Sequence, residues 1–133
     1  YIKKGRLKRL LKPKEKLLID GCHSTTSAQN LANYLRTIKK PIYGVWGMQL
    51  NRDPKKFIRC FRGVFKKIIT LKIPNELNSE KASRLKKIAT EMGFNVNTAK
   101  NILEALQCLS NKKEKVIVIF GSLYLVGNAL SLN

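Results

Sequence analysis

The chain has few acidic residues, a single histidine, and no cysteine pair. Its 133 residues hold 8 Asp plus Glu against 27 Lys plus Arg, one His and three Cys. His23, Cys22, Cys60 and Cys108 are too few and too scattered, with no Cys-x-x-Cys, to supply a zinc site. The odd, widely spaced cysteines argue against a disulfide framework and lead us to expect free thiols in a reduced, cytoplasmic compartment. No two acidic residues form a pattern that suggests paired carboxylate catalysis. A Ser or Cys nucleophile would have only His23 as its base, with nothing to orient the ring. Neither G-x-x-x-x-G-K-[ST] nor G-x-G-x-x-G is present, so a nucleotide could be touched here but not gripped by its phosphates alone. The longest apolar run, Val116 to Phe120, is far below the ~20 residues that span a bilayer, so no membrane partner is expected. No basic leader with an apolar core precedes the first strand, which gives no sign of export. The first residue is Tyr1 and the first methionine is Met48, so the chain is expected to be cut from something longer.

What is present is charge of one sign. The formal net charge is +19, and eight of the first sixteen residues are basic. Such a field attracts nucleic acid, acidic surfaces and phosphorylated metabolites alike. Twenty of the 27 cations are dispersed lysines, which reads first as a solvated surface with incidental nucleic-acid affinity. Apolar content of 44% in a chain of this length suits one domain, residues 1–133, with a real core.

The pattern alternates β and α. Lys16 to Asp20 reads as a buried strand, after which Ser24 or Thr25 caps a helix carrying Ala28, Leu31, Ala32, Leu35 and Ile38 at helical spacing. Pro41 precedes a second strand, Ile42 to Trp46. Asp53 before Pro54 is a strong helix start, with Phe57, Ile58 and Phe61 inward. A third strand is expected over Lys67 to Ile73, and a helix opening at Ser79 and stopping at Gly93. Then come a short strand, Phe94 to Val96, a helix from about Thr98 to Leu109, a strand from Lys115 to Phe120, and a helix from Ser122 to Leu130. GRLKRL, Gly5 to Leu10, reads as an extra edge strand or an extended arm. The fold class is α/β, with a mostly parallel sheet and helices on both faces.

Two turns stand out, each passing from an apolar strand straight into a helix. Asp20 ends its strand before Gly21, where a carboxylate projects from the sheet's edge and suits ribose hydroxyls, or simply caps the turn. His23 lies in the same turn, beside a helix start. Gly121 and Ser122 open the last helix, where backbone N–H groups and a hydroxyl converge in a way that suits a carboxylate or phosphate, or only caps the helix.

These turns together resemble the carboxyl-terminal domain of folylpolyglutamate synthase and of the bifunctional dihydrofolate synthase, within the Mur ligase family. GRLKRL is similar to that family's Gly-Arg-Leu opening, and LLIDGCHS to its Leu-Asp-Gly-Ala-His-Asn turn. YGVWGMQLNRDPKKF is similar to its Gly-Met-x-x-x-Lys-Asp segment, and IFGSLYLVGNAL to its Gly-Ser-Leu-Tyr-Leu-x-Gly motif. The resemblance implies a Rossmann-like sheet of about six strands, one of them antiparallel. It also implies an ATP-dependent amide ligase in which a pteroate or folate carboxylate is phosphorylated and then attacked by the amine of L-glutamate. By the same resemblance Arg6 and Asp20 would bind the nucleotide, and His23 and Ser122 the glutamate or reaction centre, with Ser24, Arg52, Asp53 and Gly121 in secondary roles.

Two departures accompany the match. Ser24 stands for the family's Asn and cannot offer an amide's donor and acceptor together, and Arg52 stands for its Lys, keeping charge with a different donor geometry. The phosphate loop, the Mg2+ ligands and the pterin pocket belong to the family's amino-terminal domain, a partner expected in cis or as a separate chain. ATP and Mg2+ are therefore cofactors of the complete enzyme, and this chain is expected to be inactive alone. The alternatives are a basic nucleic-acid-binding module and a non-catalytic remnant.

Overall fold

A computed structural model describes all 133 residues. Five strands form one sheet: β1 (Glu15–Asp20), β2 (Ile42–Trp46), β3 (Lys67–Thr70), β4 (Val96–Thr98) and β5 (Lys115–Phe120). Their order is β1-β5-β2-β3-β4 and every pairing is parallel. The helices are α1 (Arg6–Leu10), α2 (Thr25–Arg36), α3 (Pro54–Arg59), α4 (Ala82–Glu91), α5 (Ile102–Leu109) and α6 (Leu123–Leu132).

Parallel strands need covering on both faces, and the sequence supplies two apolar layers. On one face α2, α3 and α4 contribute Leu31, Leu35, Phe57, Ile58, Leu85 and Ala89 to a core with Trp46, Val118 and Phe120. On the other, Leu7 of α1, Leu106 of α5 and Leu125 of α6 pack with Leu17, Val45, Ile117 and Ile119. At the first face's centre Phe120 stacks against Trp46 at 6.4 Å and Phe65 at 5.0 Å. Gly44 lets that stack close, since a Cβ there would lie 2.9 Å from the Phe120 ring.

The expected sixth, antiparallel strand is absent. Of Gly5 to Leu10, residues Arg6–Leu10 fold as α1 with Gly5 as the capping position, because Leu7 and Leu11, four residues apart, both turn inward and are buried. Only an isolated antiparallel bridge, Ile2 to Leu17, remains along the β1 edge. Other boundaries shift too. β3 ends at Thr70, although Leu71 and Ile73 stay buried. Ser79 does not open α4: its hydroxyl accepts from the Ile73 N–H at 2.8 Å and donates to the Glu80 carbonyl, closing the loop before the helix. Phe94 lies in the turn after Gly93, with its N–H on the Ala89 carbonyl, so β4 begins at Val96. Gly93 itself takes the left-handed backbone expected of it, at φ 92°.

The amino edge of the sheet holds a buried ion pair. Glu15 and Lys115 face each other across the first register position of β1 and β5, at 3.0 Å and essentially without exposure. Both Glu15 oxygens are filled: Oε1 accepts from the Lys12 N–H and Ser110 hydroxyl, and Oε2 from the Asn111 N–H and Lys115 ammonium. Burial pushes the Glu15 carboxyl's pKa up, but those four donors outweigh it and hold the value down at about 2.

Candidate functional site

At the other edge the strands end in one row, Asp20, Phe120, Trp46, Thr70 and Thr98. After β1 and β2 the chain turns to the α2/α3 face, and after β5 it turns to the α6 face. The end of β5 is therefore flanked by loops leaving in the opposite direction, the arrangement that opens a crevice in α/β sheets.

A cleft of about 150 Å³ lies there, lined by His23 from the β1 loop, Gln49 and Arg52 from the β2 loop, and Gly121, Ser122, Leu123 and Tyr124 at the start of α6. Each loop is fixed locally. The Asp20 carboxylate accepts the Cys22 N–H at 2.8 Å, folding the β1 turn back on itself. The His23 Nδ1 donates to the Gly21 carbonyl at 3.1 Å, since a carbonyl can only accept. In the neutral ring that leaves Nε2 with its lone pair free. The His23 N–H is held by the Ser27 hydroxyl. In the β2 loop, N–H bonds from Leu50 to the Asn78 carbonyl and from Glu80 to the Met48 carbonyl, both 2.7 Å, brace the segment carrying Gln49.

Gly121 sits at φ 110°, and a Cβ there would meet the Gly47 carbonyl at 2.3 Å and the Trp46 ring at 2.5 Å. Only glycine lets α6 start this close to the sheet. The Trp46 Nε1–H, buried against this glycine, has no hydrogen-bond partner. Ser122 is buried and caps α6, its hydroxyl oxygen accepting the Tyr124 N–H at 3.0 Å while its own proton remains free to donate. The cleft thus gathers a guanidinium, an imidazole, an amide, a hydroxyl and a helix N-terminus, a set suited to a carboxylate or other small oxyanion. Cys22, beside it, is buried. Burial and the nearby Asp20 charge push its thiol pKa up, which favours the protonated form over the thiolate.

The sequence-derived residues are distributed unevenly around this point. His23, Arg52, Gly121 and Ser122 share the cleft. Asp20 borders a neighbouring hollow of about 520 Å³ with Tyr1, Leu18, Ser27, Asn30, Leu31 and Tyr34. Ser24 is spent on capping α2, where it and Ser27 form a reciprocal capping box. Asp53 caps α3 by accepting the Lys56 N–H at 3.1 Å. Arg6 is exposed, and its N–H meets the Asn133 carbonyl at the far end of α6. That is roughly 15 Å of helix from Ser122, and Arg6 lines neither the cleft nor the Asp20 hollow. Sequence reading did not single out Gln49 or Tyr124. Their position after the ends of β2 and β5 was the available signal. No group of three or more His, Cys, Asp or Glu side chains converges anywhere in the chain.

A family model for the C-terminal domain of dihydrofolate synthetase matches residues 3–132. No curated protein sequence matches significantly. Among solved structures, Mycobacterium tuberculosis folylpolyglutamate synthase complexed with ADP and AMPPCP superposes with a TM-score of 0.78 at 22% identity, over 87% of this chain and 29% of that one. Escherichia coli FolC in complex with DHPP and ADP gives a TM-score of 0.78 at 14% identity, covering 92% and 30%. A bifunctional folylpolyglutamate synthase/dihydrofolate synthase with Mn, AMPPNP and L-glutamate bound gives 0.72 at 16%, covering 91% and 29%. At these identities the superpositions establish a shared fold, and this chain spans less than a third of each of those proteins. With the family model spanning nearly every residue, the chain belongs to the dihydrofolate synthetase C-terminal-domain family.

Proposed function

We propose that this chain is the glutamate-side domain of an ATP-dependent ligase that joins L-glutamate to a dihydropteroate or folate carboxylate through an acyl phosphate. The observation that carries the reading is the convergence of His23, Arg52 and Ser122, from three separate loops, on one carboxylate-sized cleft at the β5 switch point. In this reading Arg52, the Ser122 hydroxyl and the α6 N-terminus hold a glutamate carboxylate. The His23 Nε2, with its ring fixed by the Gly21 carbonyl, is placed to accept a proton as the glutamate amine attacks. Asp20 faces the adjoining hollow, where its second oxygen is free for a ribose hydroxyl, and Gly121 sets the approach distance. Arg6 would reach nucleotide phosphates only if another part of the ligase brings them to it.

ATP would supply the activating phosphoryl group. In the same reading, which follows the family resemblance, Mg2+ would take its protein ligands from the ATP-binding domain and the rest from the nucleotide phosphates and water. The test is reconstitution with such a domain, following glutamate-dependent ADP release. We expect no turnover by the chain alone, turnover with the partner, and a loss of about 100-fold or more for His23→Ala, the range for a general base. Unchanged turnover in both His23→Ala and Asp20→Ala would refute the site.

A further inference from the structure

The groove between α3 and α4 is separate from both hollows at the sheet's carboxyl edge. It has a volume of about 550 Å³ and is lined by Lys55, Arg59, Arg62, Ile88, Glu91 and Met92. Its cationic wall runs along one side of α3 and the turn that follows, at positions i, i+4 and i+7. Like charges at that spacing repel, and Lys55 also sits in the first helical turn, against the positive end of the helix dipole. None of the three is held in an ion pair. The ion pairs present are Lys40–Glu114, Arg84–Glu80 and Lys115–Glu15, none of which involves this wall. Glu91, across the groove, forms no ion pair with any of the three.

The wall also departs from the chain's lysine habit. The protein has 20 Lys and 7 Arg, yet three of the seven arginines, at 52, 59 and 62, fall within eleven residues. Arginine's planar fork binds phosphate oxygens in pairs, which a lysine point charge cannot do. The backbone beneath is held as well: Arg36 Nη2 donates to the Cys60 carbonyl at 2.9 Å and the Arg62 carbonyl at 3.2 Å, pinning the turn that presents Arg62. Gly63, at φ 75°, lets the chain turn away immediately afterwards.

We propose that this groove binds a small oligophosphate, with Arg59 and Arg62 as bidentate donors, Lys55 as a point charge, and Ile88 and Met92 as an apolar floor. A hollow of this volume, with its cations confined to one wall, fits a short phosphate chain. It also lacks the aromatic platform on which single-stranded nucleic acids stack their bases.

The test uses the whole chain with inorganic tripolyphosphate, titrated calorimetrically in about 150 mM KCl, where diffuse attraction is screened. We expect saturable one-site binding that weakens at least ~10-fold in Arg59→Gln/Arg62→Gln and less than ~2-fold in Lys112→Gln/Lys113→Gln, which removes equal charge elsewhere. Arg59→Lys/Arg62→Lys, which keeps the charge and loses the fork, should fall in between, and Glu91→Gln should bind more tightly. Melting curves check that each variant is folded. Absence of saturable binding, or equal losses in the two Gln pairs, would overturn the proposal. So would an oligothymidylate strand that binds more tightly per phosphate and competes at the groove, which would assign it to a nucleic-acid backbone.

Discussion

The two ends of the β1–β5 pair treat polar groups in opposite ways. At the amino edge Glu15 and Lys115 are buried, and every oxygen of the carboxylate is filled from within the chain. At the carboxyl edge of the same strands, the His23 Nε2, the Arg52 guanidinium and the Gln49 amide face an open cleft with no partner inside the protein. A buried charge must be satisfied when the chain folds, so the amino edge contributes to structure and has nothing left to offer a ligand. The carboxyl edge leaves its donors unspent, which is what a binding site requires. The division follows the topology, because loops at only one end of a parallel sheet open into crevices.

The contrast can be broken most sharply at the buried pair. Lys115→Met leaves Glu15 desolvated without its cation and should cost about 3–5 kcal/mol in chemical denaturation, whereas pairing it with Glu15→Leu should restore most of the loss. The carboxyl edge has one rigid point that should behave like the amino edge. Gly121→Ala forces a Cβ onto the Gly47 carbonyl at a positive φ and should cost about 3 kcal/mol. Acid titration sharpens the comparison next. Because the Glu15 pKa is lowered on folding, its stabilisation is complete above about pH 4.5 and lost as the pH falls towards 2. That loss amounts to about 3 kcal/mol, and Glu15→Gln should abolish this part of the acid sensitivity. The smallest stability effects belong to the cleft. Arg52→Ala and His23→Ala should each shift unfolding by less than about 0.5 kcal/mol, and a larger change would mean these side chains serve the fold.

Much of this was legible in the sequence because the strands and helices carry strong periodic signals. The β1, β2 and β5 runs, the Asp53-Pro54 helix start and the Gly93 stop all fall where their residues dictate. The misreadings arose where tertiary contacts decide. GRLKRL carries the Lys and Arg charges that suit an edge strand, and the docking of Leu7 and Leu11 on the core makes it α1. Ser79 resembles a cap, yet its hydroxyl is taken by the Ile73 N–H across a loop. Within the site, the turn residues His23 and Ser122 could be picked from their place between strand and helix. Gln49 carries no signal beyond its place after β2, since its final position depends on a loop braced by Asn78 and Glu80, some thirty residues away. Glu15 was missed for a related reason: a charge at a strand's first residue is ordinarily solvated, and its partners at 110, 111 and 115 come from the far end of the chain.

Trp46 is the chain's one tryptophan. It lies buried in the Phe57–Phe120 stack with its N–H unpartnered, directly beneath the glycine that starts α6. An indole in so dry a setting fluoresces at shorter wavelength than one in water, and excitation at the red edge of its absorption, where the four tyrosines do not absorb, isolates its emission. The molecule thus carries its own optical probe a few ångströms below the cleft, able to register a ligand that shifts Gly121 without any label attached.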